Sequence, residues 1–229
     1  MNMRYSLALL ALLLASTAQA ETVLRLTETG SVSVRPDRLV AGMRFDVDGP
    51  TAPDVQARVN AAIAASVELA KKTTGITVAT GSYNVWQVQA TAQAGKHWHG
   101  SQSLDLTGSD GATVLNLVGA LQSQGLAMQQ LGWRMAPATA RAAQTEATRL
   151  AVTQLRGRAD TVAAALGMVF VSFRAVNLDP GSGPMPRATV AMAMPAPIVG
   201  REMPVPVAEA TDVTVEARVE AEAILDIKR

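Results

Sequence analysis

Apolar and polar residues alternate along several stretches of the chain, and this two-residue period predicts β-strands with one buried face. The clearest example lies near the end of the sequence, where apolar residues occupy the odd positions from Val213 to Ile227. Two earlier stretches, 23–34 and 38–47, alternate in the same way, and we expect them to pair as an antiparallel hairpin. A bend or bulge is predicted at Gly30, inside the first of these stretches. Further strands are predicted over 83–91, 96–107, 126–135 and 169–178.

A period of three to four residues extends from Pro137 to Leu166 and predicts one long helix that ends at Gly167. Its apolar stripe consists mostly of alanine and comprises Ala143, Ala147, Leu150, Ala151, Leu155, Ala159, Val162 and Leu166. Because an isolated helix with so few large apolar side chains is unstable, we expect this stripe to lie close against a sheet. Two shorter helices are predicted, with Asp54 and Asp110 as their N-terminal caps.

The strand predicted over 169–178 is apolar on both sides, so we expect it to be covered on both faces or to lie inside an assembly. After it, repeated prolines exclude a helix or a continuous strand and predict a long, mobile arm over 179–206, rich in methionine and proline. These elements together predict an α+β fold, with two shorter helices and one long helix packed on antiparallel β-sheet. We expect one domain over 21–229, with a division into two lobes left open.

Residues 1–20 follow the pattern of a secretory signal peptide. Arg4 provides the positive charge, an apolar run covers 7–15, and residues 18–20 (Ala-Gln-Ala) match a cleavage site. That apolar run is about half the roughly 20 residues that a membrane-spanning helix needs. We therefore expect export to the periplasm and no transmembrane segment after cleavage, with association with the outer membrane left open.

Charge and composition narrow the classes of partner. Removal of Arg4 with the signal peptide leaves 19 basic and 19 acidic residues (20 − 1 = 19 basic), a formal charge of zero. Nucleic acid is therefore not an expected partner, because its binding requires clustered positive charge. Cysteine is absent, which excludes disulfides and thiolate chemistry. Aromatic residues are only 3% of the chain, so the core has many small contacts, and a homo-oligomer would bury more surface.

His97 and His99, the only histidines, fall on one face of a predicted strand and could place two imidazoles on one metal ion. Asp105 lies too far along the same strand to join them, so a third ligand must come from a neighbouring strand. Met192 and Met194 add thioethers, which favour Cu(I). The alternative is a pair of solvated histidines and a methionine-rich surface that contacts a partner.

Motifs of known catalytic sites are not found in the sequence. It contains no G-x-S-x-G nucleophile motif, no H-E-x-x-H zinc motif and no glycine-rich phosphate loop between a strand and a helix. We therefore predict no catalytic residue, no cofactor and no enzymatic activity.

Three stretches together resemble the SIMPL family of bacterial periplasmic proteins. They are the glycine-containing strand that ends in Pro-Asp over 27–37, the alanine- and arginine-rich helix over 151–167, and the Met/Pro/Ala-rich segment before the final strand. The resemblance implies an α+β fold, secretion to the periplasm or envelope, and self-association, including into a ring or shell. It also implies a link to envelope or oxidative stress, and no catalytic residues. We thus expect a self-assembling structural or interaction component of the envelope, with a periplasmic copper-binding protein as the alternative.

Overall fold

A computed structural model describes residues 21–90, 95–178 and 208–228. In chain order, the elements of these ranges are β1 (Thr22–Val34), β2 (Arg38–Gly49), α1 (Ala52–Lys72), β3 (Ile76–Val88), β4 (His97–Gly108), α2 (Gly111–Ser123), β5 (Ala127–Arg134), α3 (Pro137–Ala165), β6 (Met168–Leu178) and β7 (Val213–Ile227). The strands form two sheets, ordered β1-β7-β6 and β3-β4-β2-β5, with helices packed on them. The predicted α+β fold with antiparallel sheets is confirmed.

The hairpin predicted between β1 and β2 is wrong. β2 pairs antiparallel with β4 on one side and with β5 on the other, so neither of its edges is free for β1. β1 instead lies beside β7 in the second sheet. The short connection through Pro36 therefore joins two sheets rather than two neighbouring strands.

The chain divides into two compact units. The described part of unit 1 comprises 21–31, 146–178 and 216–228, and that of unit 2 comprises 32–145 and 208–215. The predicted signal peptide and the predicted arm over 179–206 lie outside the described residues, so both stay predictions.

In unit 1, α3 packs its alanine-rich stripe on β1 and β7. Within unit 1, the buried α3 residues follow one another at intervals of four and are Ala147, Ala151, Leu155, Ala159 and Ala163, and Ala143, one interval earlier in unit 2, is buried as well. Leu155, the largest of them, is fully buried in a cluster with Leu26 and Val219. Five of the eight residues predicted for the stripe are thus buried, whereas Leu150 and Val162 are half-buried and Leu166 lies beyond the helix and is 60% exposed. Ala163 is buried but was not part of the predicted stripe. Gly167 has a φ of +71°, a left-handed conformation that suits the predicted helix end.

Gly30 permits the close approach of β1 to α3. β1 continues through Gly30 without a break, so the predicted interruption at this residue is not observed. A methyl carbon added at Gly30 would lie 2.5 Å from the backbone nitrogen of Ala151 and still closer to the carbonyl oxygen of Ala147. Glycine is therefore needed at position 30 because a side chain would not fit against α3, and not because the chain turns there.

In unit 2, α1 and α2 cover one face of the four-stranded sheet. The two helices contribute fully buried residues such as Val59 and Val118, which pack against Phe45 and Leu104 of the sheet. Asp110 caps α2 as predicted, because its carboxylate accepts hydrogen bonds from the backbone of Ala112 and Thr113.

The predicted cap of α1 is wrong. Thr51 is the N-cap, and its hydroxyl accepts a hydrogen bond from the backbone N–H of Asp54. Asp54 lies in the first helical turn, where its negative charge interacts favourably with the helix dipole.

Asp37, the aspartate of the Pro-Asp motif that follows β1, binds the N-terminus of α3. Its carboxylate accepts hydrogen bonds from the backbone N–H of Ala136 (2.6 Å) and from the hydroxyl of Thr139 (2.8 Å) at the start of α3. These two bonds hold the pKa of the Asp37 carboxyl below its usual value. The carboxylate is consequently ionised at neutral pH and caps a helix that begins about a hundred residues later in the chain.

Candidate functional site

The predicted histidine pair lies on the face of the four-stranded sheet opposite α1 and α2. The even-numbered residues of β4, including Gly100 and Leu104, face the helices, so His97 and His99 face away from them, as predicted. On the adjacent strand β2, Asp48 is the cross-strand partner of His99. The expectation that a third metal ligand must come from a neighbouring strand stays a prediction, and Asp46 and Asp48 of β2 are the carboxylates that lie nearest to the two histidines.

Carboxylates of β2 hold both imidazole rings. His99 contacts Asp48 through Nδ1 (2.6 Å to Oδ1) and Asp46 through Nε2 (3.4 Å to Oδ1). His97 lies 3.8 Å from Asp48 through Nε2 and 2.9 Å from the carbonyl oxygen of Gly95 through Nδ1. Because Asp48 is 62% exposed, solvent screens these interactions strongly. The cluster orients the rings more than it stabilises the fold.

The cluster has metal-ligand donors but not a metal-ligand geometry. In the ranges that the structure describes, no three His, Asp or Glu side chains are placed to hold one ion. Met192 and Met194, the thioethers of the predicted site, lie outside those ranges. The predicted metal site therefore stays a prediction, and its two histidines already have carboxylate partners.

A second candidate surface is formed by β6, at the edge of the unit 1 sheet. The register between β6 and β7 shifts between Phe170 and Ser172, and again between Phe173 and Ala175. Each shift inserts one extra residue into β6. Because of these extra residues, Phe170, Phe173 and Val176, which lie three apart in the sequence, face the side of the sheet that carries α3. Leu178 faces the same side, and we call these four residues the β6 strip.

The β6 strip extends the apolar face of the unit 1 sheet beyond α3. Phe170 and Phe173 are half-buried beside the helix, with ring centroids 4.8 Å apart. Val176 and Leu178 are 48% and 51% exposed. Of the two alternatives predicted from its apolar sequence, coverage on both faces is not observed among the described residues, and a place inside an assembly stays a prediction. The two-residue period of the sequence could not predict which face of β6 each residue occupies, because two bulges change which residues share a face.

Other exposed apolar residues lie on the same strand but outside the strip: Val169, the cross-strand partner of Asp226, faces away from α3, and Val171 is the extra residue of the first bulge. Val169 and Val171 are both largely exposed, and β7 is the sole strand paired with β6 within the described part of the fold. An edge strand with exposed valines and open backbone groups is a surface suited to association with another chain.

Within the described ranges, none of the helices combines the length and the apolar character needed to cross a membrane.

Comparison with known proteins assigns a family. A sequence model described as "SIMPL: Protein of unknown function (DUF541)" matches residues 24–223, which is most of the chain. The match includes both 27–37 and 151–167, two of the stretches on which the resemblance to this family was based. No curated protein matches the chain.

Proposed function

The chain belongs to the SIMPL family, and on that premise we propose that it is an exported, non-catalytic protein of the cell envelope that assembles with copies of itself. The observation that carries this proposal is the β6 strip. It continues the apolar face of the unit 1 sheet to positions where Val176 and Leu178 are about half exposed. A role during envelope stress, which the family resemblance implies, belongs to the same proposal.

The strip alone is too small to hold a stable complex. A standard protein interface buries about 800 Å² on each partner, more than four side chains provide. We therefore expect the interface to extend around the free edge of β6, so that it also includes the exposed residues Val171 and, on the other face of the strand, Val169. The bulges in β6 disfavour a continuous ladder between two copies, so side-chain packing should dominate over strand pairing.

Lysine at the exposed end of the strip is expected to separate the copies. We expect the mature chain, residues 21–229, to be larger than a monomer by light scattering coupled to size-exclusion chromatography. The variant Val176→Lys/Leu178→Lys should be a monomer at the same concentration, because desolvating two ammonium groups at an apolar interface is unfavourable. Its melting temperature should change little, since both positions are about half exposed in a single copy.

The matched control is Val23→Lys on β1, at the opposite edge of the same sheet. Val23 is 38% exposed, and its replacement should leave the assembly intact. A wild-type protein that is monomeric at all tested concentrations contradicts the proposal. So does a lysine variant of β6 that assembles as well as the wild type.

Metal binding is the second candidate function, and the position of Asp46 and Asp48 beside the two histidines is the observation that favours it. Two imidazoles and two carboxylates are donors for a borderline divalent ion such as Zn²⁺ or Cu²⁺ rather than for Cu(I). Binding would have to draw the carboxylates away from their present positions. Met192 and Met194 would remain a separate, softer set of donors.

Calorimetric titration with Zn²⁺ tests this candidate. The variant His97→Ala/His99→Ala should lose binding, because the imidazoles are the strongest neutral donors of the cluster. Asp105→Ala, on the same face of β4 but further along the strand, should bind as the wild type does. Equal affinity in the wild type and the double histidine variant removes the cluster from consideration.

A further inference from the structure

A polar cavity of about 360 Å³ opens on the face of the four-stranded sheet away from α1 and α2. This volume lies at the lower end of the range typical of small-molecule sites, about 300 to 1,000 Å³. Its lining comes from β2, β3, β4 and β5 and consists of Arg44, Ser82, Asn84, Trp86, Ser101, Ser103 and Gln129. The cavity belongs to unit 2, whereas the β6 strip belongs to unit 1.

Ser101 provides a nearly buried hydroxyl that faces this cavity. The residue is only 3% exposed, and its hydroxyl has no hydrogen-bond partner among the described residues. In the same part of the chain, no side-chain nitrogen or oxygen is both sealed from solvent and unpaired. The Ser101 hydroxyl must therefore keep its access through the cavity, where a ligand group can bind it.

The charges around the cavity are paired within the protein. Arg44 forms an ion pair with Asp46 (Nε to Oδ1, 2.8 Å), and His99 contacts Asp48. The remaining polar lining groups are hydroxyls and amides, from Ser82, Asn84, Ser103 and Gln129, and they have no protein partner in the described ranges. Such groups both donate and accept hydrogen bonds without charge. The cavity thus suits a neutral ligand with many hydroxyl or amide groups rather than an anion or a metal ion.

Trp86 adds an aromatic surface at the rim of the cavity. Its ring lies 4.4 Å from the ring of His99, centroid to centroid, and 43% of the residue remains exposed. A large exposed indole beside unpaired hydroxyls and amides provides an apolar platform and directed hydrogen bonds in one place. A pyranose ring has this same pair of properties, since it carries C–H groups on its faces and hydroxyls around its edge.

We propose that this cavity binds a neutral saccharide, with one pyranose ring against Trp86 and its hydroxyls bonded to Ser101 and the neighbouring amides. The proposal goes beyond self-association, because it concerns the other unit. It assigns the protein a ligand class that would let an assembled form attach to glycan.

Titration with three neutral tetrasaccharides tests the proposal on the mature chain. Cellotetraose, chitotetraose and maltotetraose cover β-linked glucose, β-linked N-acetylglucosamine and α-linked glucose. We expect at least one to bind with a Kd of about 10 μM to 1 mM. In ¹H–¹⁵N spectra, the indole signal of Trp86 should shift, while that of Trp133, which is bonded to the carbonyl of Ala208, should not.

Variants of the lining separate binding from folding. Trp86→Ala should weaken the tetrasaccharide at least about tenfold through loss of the aromatic platform. Asn84→Ala should also weaken it, with an unchanged melting temperature. Asn60→Ala, the same substitution on the exposed face of α1, should bind as the wild type does. The lysine variant of β6 should retain full saccharide binding, so failure of this proposal and failure of self-association are distinguishable.

Two outcomes of the saccharide titrations, and a third with an anionic probe, overturn the proposal. One is the absence of any binding of the three tetrasaccharides at about 10 mM, well above the Kd expected of even a weak site. The other is binding that is unchanged in both Trp86→Ala and Asn84→Ala. Inorganic phosphate serves as the anionic probe, and displacement of the saccharide by millimolar phosphate would contradict a neutral site.

Discussion

Alanine at Gly30 is expected to destabilise unit 1 by about 3 kcal/mol or more, because overpacking against backbone atoms cannot be relieved by rotating a side chain. The added methyl carbon would meet the backbone nitrogen of Ala151 at 2.5 Å and the carbonyl oxygen of Ala147. Both atoms belong to the backbone of α3, so β1 would have to move away from the helix. The urea concentration at the midpoint of unfolding, monitored by far-UV circular dichroism, measures this loss of stability.

Gly157 supplies the matched control in the same helix. A methyl group added there meets no atom within 4 Å. Gly157→Ala should therefore stabilise α3 by about 1 kcal/mol, the usual gain in helix propensity at an exposed position. The same substitution at two glycines should thus change stability in opposite directions. If Gly30→Ala is as stable as the wild type, then β1 and α3 are not in close contact in solution.

Periodicity was sufficient to predict most helices and strands but not which strands pair. The period of α3 indicated its buried stripe, because an α-helix keeps that period over its whole length. The alternation of 23–34 and 38–47 indicated two strands, yet a short connection does not determine whether they share a sheet. That outcome depends on β4 and β5, which occupy both edges of β2 and come later in the chain.

Local irregularities account for the other errors in the predicted fold. β3 begins at Ile76 rather than near Tyr83, and a register shift between Thr80 and Tyr83 disturbs its alternation. Bulges likewise make β6 resemble a strand buried on both faces. A bulge adds one residue to one strand, and no single residue type marks its position.

The candidate sites were only partly visible in the sequence. The histidine pair could be predicted because its two members are neighbours on one strand. Asp46 and Asp48 could not be assigned to it, because their proximity depends on the register between β2 and β4. The cavity beside Trp86 combines residues of four strands, so its neutral lining appears only once the sheet is assembled.

An aspartate in place of Leu155 is expected to unfold unit 1. Leu155 is fully buried, and its neighbours in the stripe, Ala151 and Ala159, leave no polar group to pair with a carboxylate. Loss of the leucine side chain costs about 2 to 5 kcal/mol, and burial of an unpaired charge adds several more. The sum is comparable to the whole stability of a typical domain, about 5 to 15 kcal/mol.

Two optical signals allow the loss to be assigned to unit 1. All three tryptophans, at positions 86, 98 and 133, belong to unit 2, so tryptophan fluorescence monitors that unit alone, whereas far-UV circular dichroism also reports α3. Val152→Asp makes the same kind of change at an exposed position of the helix and should cost less than about 0.5 kcal/mol. Equal melting curves for the two aspartate variants would mean that α3 presents a different face to the sheet. Because the β6 strip borders this same packing, Leu155→Asp should also abolish self-association, while Val152→Asp should preserve it.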